Sequence, residues 1–333
     1  MTLIMDVLPQ EVGKWAELIT EKTYRWQPAT TERAGQWASD ASELGQARLI
    51  LLAKQLTKQA VLDSLAVFDE AQLTVSLTSI KRIAQRDVLS FSVSDWRPEL
   101  KAHLQTIARA WDFAYVPALP EGREPGLVLM DMDSTAIQIE CIDEMARLAG
   151  VGDEVAAVTQ AAMEGALPFS ESLRRRVKAL AGADVAIIDQ VLAEMPLMPG
   201  LVTLVTGLKA MGWKVALASG GFTPFTGHLH ELLELDAHFS NTLAIENDRF
   251  TGEVLGEIVD AEAKARILEE LAVQYQIPLS QTVAIGDGAN DLLMLAKAGL
   301  GVALHAKPLV QEQAPVCFNQ LSLEGVLGLL QAS

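Results

Sequence analysis

Hydrophobic and polar positions alternate along this chain in two textures, and each predicts a different kind of sheet. Residues 1 to about 45 carry no sustained period; 10–20 fits a short helix and 28–45 a polar connector. Beyond them the rhythm is regular. Apolar positions predict a strand over 48–53, an amphipathic helix over 57–68 and an alternating strand over 73–83. A strand over 88–93, a helix over 100–111 and a strand over 113–116 follow. The order βαββαβ is the split, ferredoxin-like pattern. Residues 117–125 hold three prolines and a glycine among charges, and place a domain boundary there. After it, short continuous apolar runs at 126–130, 215–218, 282–285 and 300–303 suit strands buried on both faces of a parallel sheet. Helical patterns such as 200–211 and 261–275 separate them, which predicts a doubly wound α/β sheet. Residues from 141 to about 195 are helical in pattern throughout, and predict a helical insertion between the first two of these strands.

Composition narrows the function classes. Half of the 333 residues are hydrophobic and 21% are charged, as in ordinary globular proteins. A net charge of −17 argues against a nucleic-acid or anionic-membrane partner, though not against a small anionic substrate held by local cations. Two cysteines, Cys141 and Cys317, cannot build a disulfide framework and fit a reducing cytoplasm. The first eleven residues lack the pattern of a secretory signal, and no apolar run is long enough to predict a membrane span.

Chemistry concentrates at the predicted strand ends, where open α/β sheets bind ligands. Asp131-Met132-Asp133-Ser134-Thr135 follows the first buried strand. Two carboxylates one residue apart can share a divalent cation, or divide the work of nucleophile and acid/base. A turn that only caps the next helix is the plainer alternative. Ser219-Gly220-Gly221 ends the second strand, and its hydroxyl and glycine amides can form a phosphate nest or an ordinary turn. Gly286-Asp287-Gly288-Ala289-Asn290-Asp291 ends the third, with hard oxygens suited to Mg²⁺ or to an Asx turn. Lys264, in the helical segment before that strand, is by itself an ordinary solvated charge.

In this order the four elements resemble the motifs of the haloacid-dehalogenase superfamily of phosphotransferases. Asp131 to Thr135 looks like the first motif, Ser219 the second, Lys264 the third and Gly286 to Asp291 the fourth. The resemblance covers about residues 126–330, and the helical insertion looks like a C1-type cap. Asp131 to Glu140, Ile142-Asp143-Glu144, Met163-Glu164-Gly165, Phe169 and Ser172 to Val177 are similar to the phosphoserine phosphatases within that superfamily. This resemblance implies Asp131 as nucleophile and Asp133 as general acid/base. It implies a Mg²⁺ site from Asp131, Asp287 and the Asp133 main-chain carbonyl, supported by Asn290 and Asp291. Ser219, Gly220, Lys264 and Asn290 would contact the phosphorylated substrate, Glu140 and Arg176 its amine and carboxylate, and Met163 and Phe169 would line the pocket. The implied reaction is hydrolysis of O-phospho-L-serine through an aspartyl phosphate, the last step of serine biosynthesis.

The expected architecture is therefore an N-terminal regulatory or scaffold domain over 1–120, similar in pattern to ACT domains. A catalytic domain follows over 126–333, with its cap at about 141–198. A homodimer and an amino-acid effector of the first domain stay open. Helical spacing favours Arg176 over its neighbours: Leu173, Val177 and Leu180 form one stripe, Arg176 lies beside it, and Arg175 points away. Glu140 could also be a helix-start acid favoured by the macrodipole. Cys141 reads as a packing residue, and His228 and His230 would not share a helix face. A dehalogenase would not need Asp133, a P-type pump would need membrane helices, and an inert amino-acid sensor would not need intact acid pairs.

Overall fold

A computed structural model describes residues 2–4, 9–17, 24–27, 36–39, 45–163 and 167–332. The chain forms two compact units, Met1–Glu124 with Pro315–Ser333, and Pro125–Ala314.

The first unit opens with strands β1 (Thr2–Ile4), β2 (Tyr24–Gln27) and β3 (Gln36–Ser39) around a 3-10 turn at Val12–Glu17. Strand β3 lies inside the stretch read as a polar connector. It is only four residues long, too short for a legible period, and it exists through antiparallel pairing with β1 and β2. Then come β4 (Ala47–Ala53), α1 (Lys58–Glu70), β5 (Val75–Ile83), β6 (Arg86–Val93), α2 (Leu100–Ile107) and β7 (Asp112–Val116). These strands lie in the order β5-β6-β4-β7, antiparallel throughout. Thr57 caps α1, its hydroxyl accepting the Ala60 amide at 3.2 Å. The β5–β6 hairpin turns through Ala84 and Gln85, both at positive φ (46° and 63°), as a two-residue turn of the primed type requires. Leu49, Phe68, Phe91 and Tyr115 fill the core.

In the second unit β8 (Leu127–Met130) is followed by α3 (Cys141–Ala149), α4 (Gly152–Met163), α5 (Phe169–Ala179) and α6 (Ile187–Glu194). Next come α7 (Leu201–Ala210), β9 (Lys214–Phe222), α8 (Thr223–Leu233), β10 (Ala237–Glu246) and β11 (Arg249–Leu255). Then follow α9 (Ala261–Gln274), β12 (Thr282–Gly286), α10 (Leu292–Lys297), β13 (Leu300–Leu304) and α11 (Pro308–Gln313). The strand order is β13-β12-β8-β9-β10-β11; β13, β12, β8, β9 and β10 pair in parallel, and β11 returns antiparallel along the edge. Strand order reverses at β8, the switch point where such sheets open a ligand crevice. Both stems of the helical insertion are tied together. Ile137 bridges Leu197, the Met198 amide donates to Ala136 O at 2.8 Å, and the Gln138 amide donates to Pro196 O at 3.0 Å.

The chain closes with β14 (Val316–Phe318) and α12 (Gly325–Ala332). Residues 315–333, which the sequence reading carried into the catalytic domain, group with the first unit. The cause is specific. Cys317 pairs with Phe113 of β7, and buried Asp112 accepts the amides of Asn319, Gln320 and Leu321 at 3.0, 2.9 and 2.7 Å. Glu324 forms an ion pair with Arg86, and Ser90 donates to Ala332 O.

Candidate active site

Strand β8 is wholly buried between β9 and β12, and Met130 is in register with both Leu217 and Ile285. Asp131, Ser219 and Asp287 therefore emerge within one or two residues of the same level at one end of the sheet. Lys264 reaches this level from the first turn of α9, whose cap is Asp260, its carboxylate accepting the Ala263 amide at 3.0 Å. The Lys264 side chain has no solvent exposure; its Nζ lies 2.8 Å from Asp131 Oδ1 and 2.7 Å from Asp291 Oδ1. Burial alone would lower its pKa, and the two carboxylates more than reverse that, so it is held as an ammonium.

Each carboxylate of the cluster has distinct partners. Asp131 Oδ1 accepts both Lys264 and its neighbour's amide, Met132 N at 2.7 Å, which leaves Oδ2 open. Asp287 Oδ1 accepts the Thr135 hydroxyl at 3.2 Å, again leaving Oδ2 open. Asp291 is saturated: Oδ1 takes Lys264, and Oδ2 takes the amides of Asp287 and Gly288 at 3.1 and 3.0 Å. The three side chains place carboxylate oxygens within 4.8 Å of one another. Burial, then the Asp291 charge, pushes Asp131 well above the usual carboxylate range against the pull of Lys264. Burial and Asp291 push Asp287 up to about 6. One lysine among two buried carboxylates and the half-buried Asp287 leaves excess negative charge. A divalent cation with a preference for hard oxygens fits that charge, with the open oxygen of Asp287 and the carboxylate of Asp131 as its ligands.

Asp133 is placed differently. Its Oδ1 accepts the Cys141 amide at 3.3 Å. A β-carbon on Gly221 would stand 2.9 Å from Asp133 Oδ2 and 2.8 Å from Met132 Cε, so a side chain there would displace the tips of both. Burial first, then nearby Glu140, raises Asp133 to about 7, where a carboxyl group both gives and takes protons near neutrality. Ser219 is fully buried, with its Oγ accepting the Gly221 amide at 2.9 Å.

A cavity of about 720 Å³ brings Asp131, Asp133, Ser219, Gly220, Asp287 and Asn290 together with Glu140, Phe169 and Arg176. Glu140 immediately precedes α3 and makes no capping bond; instead it accepts the Ser134 hydroxyl at 2.8 Å. Arg176 is half-buried beside the buried stripe of Leu173, Val177 and Leu180, and its Nε has no hydrogen-bond partner among the described residues. Arg174 and Arg175 are exposed, Arg175 paired with Glu171. Phe169 closes on Gly220, where an added β-carbon would meet its Cζ at 2.7 Å. Met163 ends α4, and its side chain lies outside the described residues. Cys141 is buried, and its thiol is pushed up by burial and by Asp133, which suits packing and not nucleophilic chemistry.

Two supports were not singled out from the sequence. Thr135 orients Asp287. Asn241, buried on β10, donates to Gly220 O at 2.8 Å and accepts the Val259 amide at 2.9 Å, so it holds the Ser-Gly-Gly turn from the next strand. No local signal marks Asn241, because its partners are brought to it by parallel strand pairing.

A family model described as haloacid dehalogenase-like hydrolase matches residues 125–299. The phosphoserine phosphatase of Vibrio cholerae is 54% identical over 237 residues, 71% of this chain and 72% of that protein. The crystal structure of a probable phosphoserine phosphatase from Vibrio cholerae, in unliganded form, aligns with a TM-score of 0.74 at 45% identity, covering 88% of this chain and 89% of that one. A phospho-aspartyl intermediate analogue of phosphoserine phosphatase aligns with a TM-score of 0.59 at 41% identity, covering 61% of this chain and 98% of that one. Among the described residues, no helix is long and apolar enough to cross a membrane.

Proposed function

Because this chain belongs to the haloacid dehalogenase-like hydrolases and is a phosphatase among them, we propose that it hydrolyses O-phospho-L-serine to L-serine and phosphate through an aspartyl phosphate on Asp131. One observation carries the substrate assignment: the cavity that holds the Asp131–Asp133 pair also holds Glu140 and Arg176. An acid and a guanidinium beyond the reacting centre match the amine and carboxylate of an amino acid, and the planar guanidinium suits bidentate carboxylate binding.

In the first half-reaction the open oxygen of Asp131 attacks phosphorus. The bond from phosphorus to the seryl oxygen breaks, and protonated Asp133 gives its proton to that oxygen. In the second, Asp133 takes a proton from water, whose oxygen attacks phosphorus and frees Asp131. Lys264 fixes one oxygen of the nucleophile and so orients the other. Ser219, Gly220 and Asn290 would hold the phosphoryl oxygens, and Met163 and Phe169 would close the pocket. A Mg²⁺ ion held by Asp131, Asp287 and the Asp133 carbonyl would supply charge neutralisation of the phosphoryl group. The helices between β8 and β9 serve in this reading as a cap that limits bulk water during the first step.

The remaining assignments follow from that activity. The reaction would stand at the end of serine biosynthesis, in the cytoplasm, where two free cysteines are at home. The βαββαβ order and the strand order β5-β6-β4-β7 support reading the first unit as an ACT-like regulatory or scaffold module, the place for an amino-acid effector or a dimer contact. The deciding test is phosphate release with Mg²⁺ across phosphoserine, phosphoethanolamine and an aryl phosphate. A kcat/KM for phosphoserine no greater than for the other two would remove the substrate assignment and leave the phosphatase.

A further inference from the structure

The cavity around Asp131 is electrostatically adverse to the substrates it serves. Even with a divalent cation on Asp131 and Asp287 and a proton on Asp133, Glu140, Asp143, Asp260 and Glu262 line it against two side-chain cations, Arg176 and Lys307, in a chain of net charge −17. Lys264 does not alter that balance at the mouth, since it is fully buried and neutralised by Asp131 and Asp291. Arg176 is half-buried on α5. A phosphate monoester carries about −1.5 to −2 charge near pH 7, and it has to reach the centre past this negative lining.

Lys307 is placed to receive it. Ala303 of β13 is in register with Gly286, so the chain leaves β13 at the same end of the sheet as Asp287. Its backbone is anchored there: Lys307 O accepts the amides of Val310 and Gln311 at 2.9 and 3.1 Å, and Ala306 O accepts the Gln311 side chain at 2.6 Å. The side chain is exposed, lines the cavity, and has no ion-pair partner among the described residues. A fixed backbone with an uncommitted, solvated ammonium is the arrangement expected of a residue that captures an anion by charge.

We propose that Lys307 is the capture residue for phosphorylated substrates, drawing the phosphate dianion across the acidic rim without taking part in the chemistry. The proposal rests on the phosphatase reading and not on the identity of the ester. One exposed charge acting through water is worth about 1 kcal/mol, or roughly 5-fold.

The test uses the full chain with Mg²⁺ as wild type, K307A, K307R and K307E, assayed on phosphoserine and on an aryl phosphate. Salt is varied from about 0.01 M to 1 M, where the screening length falls from roughly 30 Å to 3 Å. In low salt K307A should raise KM about 5-fold on both esters with kcat unchanged. K307E should raise it further, K307R should restore it, and the differences should vanish in high salt. A KM loss that persists in high salt, a fall in kcat, or variants that match wild type throughout would overturn the proposal. Turnover of the aryl phosphate by wild type, without preference for phosphoserine, would count against the substrate assignment alone and leave this test intact.

Discussion

Lys264 Nζ lies 2.7 Å from Asp291 Oδ1, and neither side chain reaches solvent. The opposite oxygen of Asp291 holds two backbone amides of the loop that carries Asp287. One carboxylate thus joins α9 to the end of β12. Asp291→Ala should leave part of a buried charge uncompensated and two amides unpaired, at a loss of about 3–5 kcal/mol in stability. The denaturant midpoint reads this directly, and an unchanged midpoint would show that the pair does not support the fold.

Asp131→Asn should abolish turnover with the fold intact, because an amide does not attack phosphorus and Lys264 keeps Asp291. Asp133→Asn should cost about 10²–10⁴-fold in kcat, the range for one acid/base group. Steady-state phosphate release and circular dichroism on both variants are the checks. Near-wild-type activity in Asp131→Asn would end the aspartyl-phosphate mechanism.

An open Asp287 oxygen beside the Asp131 carboxylate and a surplus of negative charge predict a metal requirement. Exhaustive chelation should stop activity, and Mg²⁺ should restore it. Chelation should not unfold the chain, since the cluster is already held by Lys264, Thr135 and backbone amides. Full activity after chelation would refute the metal assignment.

Asp133 acts first as an acid, so kcat/KM should fall as pH rises through its ionisation at about 7. Burial is the main cause of that value and the Glu140 charge the next. Glu140→Gln removes the like charge, eases ionisation of Asp133, and should move the alkaline limb to lower pH. An alkyl phosphate without an amine is the suitable substrate, because it isolates this effect from recognition. A limb that stays in place or moves upward contradicts the coupling.

Arg176→Ala tests recognition. Loss of one partner from a desolvated charge pair costs ~2–5 kcal/mol, or roughly 30- to 5,000-fold in affinity. KM for phosphoserine should rise on that scale, with little change for an aryl phosphate. Equal losses on both substrates would assign Arg176 to the fold of the helical insertion and not to the substrate.

What the sequence by itself determined here is local. Continuous apolar runs mark strands buried on both faces, and the residues just beyond them must emerge at strand ends, so Asp131, Ser219 and Asp287 could be placed from their neighbours alone. The stripe of Leu173, Val177 and Leu180 likewise turns Arg176 inward and leaves Arg175 in solvent, because helical period is a property of a few consecutive residues. Tertiary structure decided whatever depends on partners distant in the chain. Lys264 reads as a solvated helix lysine until α9 packs against α10 and the 289–291 turn and meets Asp291, 27 positions away. Asn241 is an unremarked strand residue until β10 lies alongside β9. Strand β3 needs β1 and β2 to exist. The final segment, 315–333, joins the first unit through Asp112, some 200 residues earlier in the chain, because three backbone amides find their acceptor there. The fourteen-residue pattern of a helix or the few residues of a strand cannot encode such a pairing, since the energy that selects it is burial and hydrogen bonding between surfaces that only the folded chain brings together.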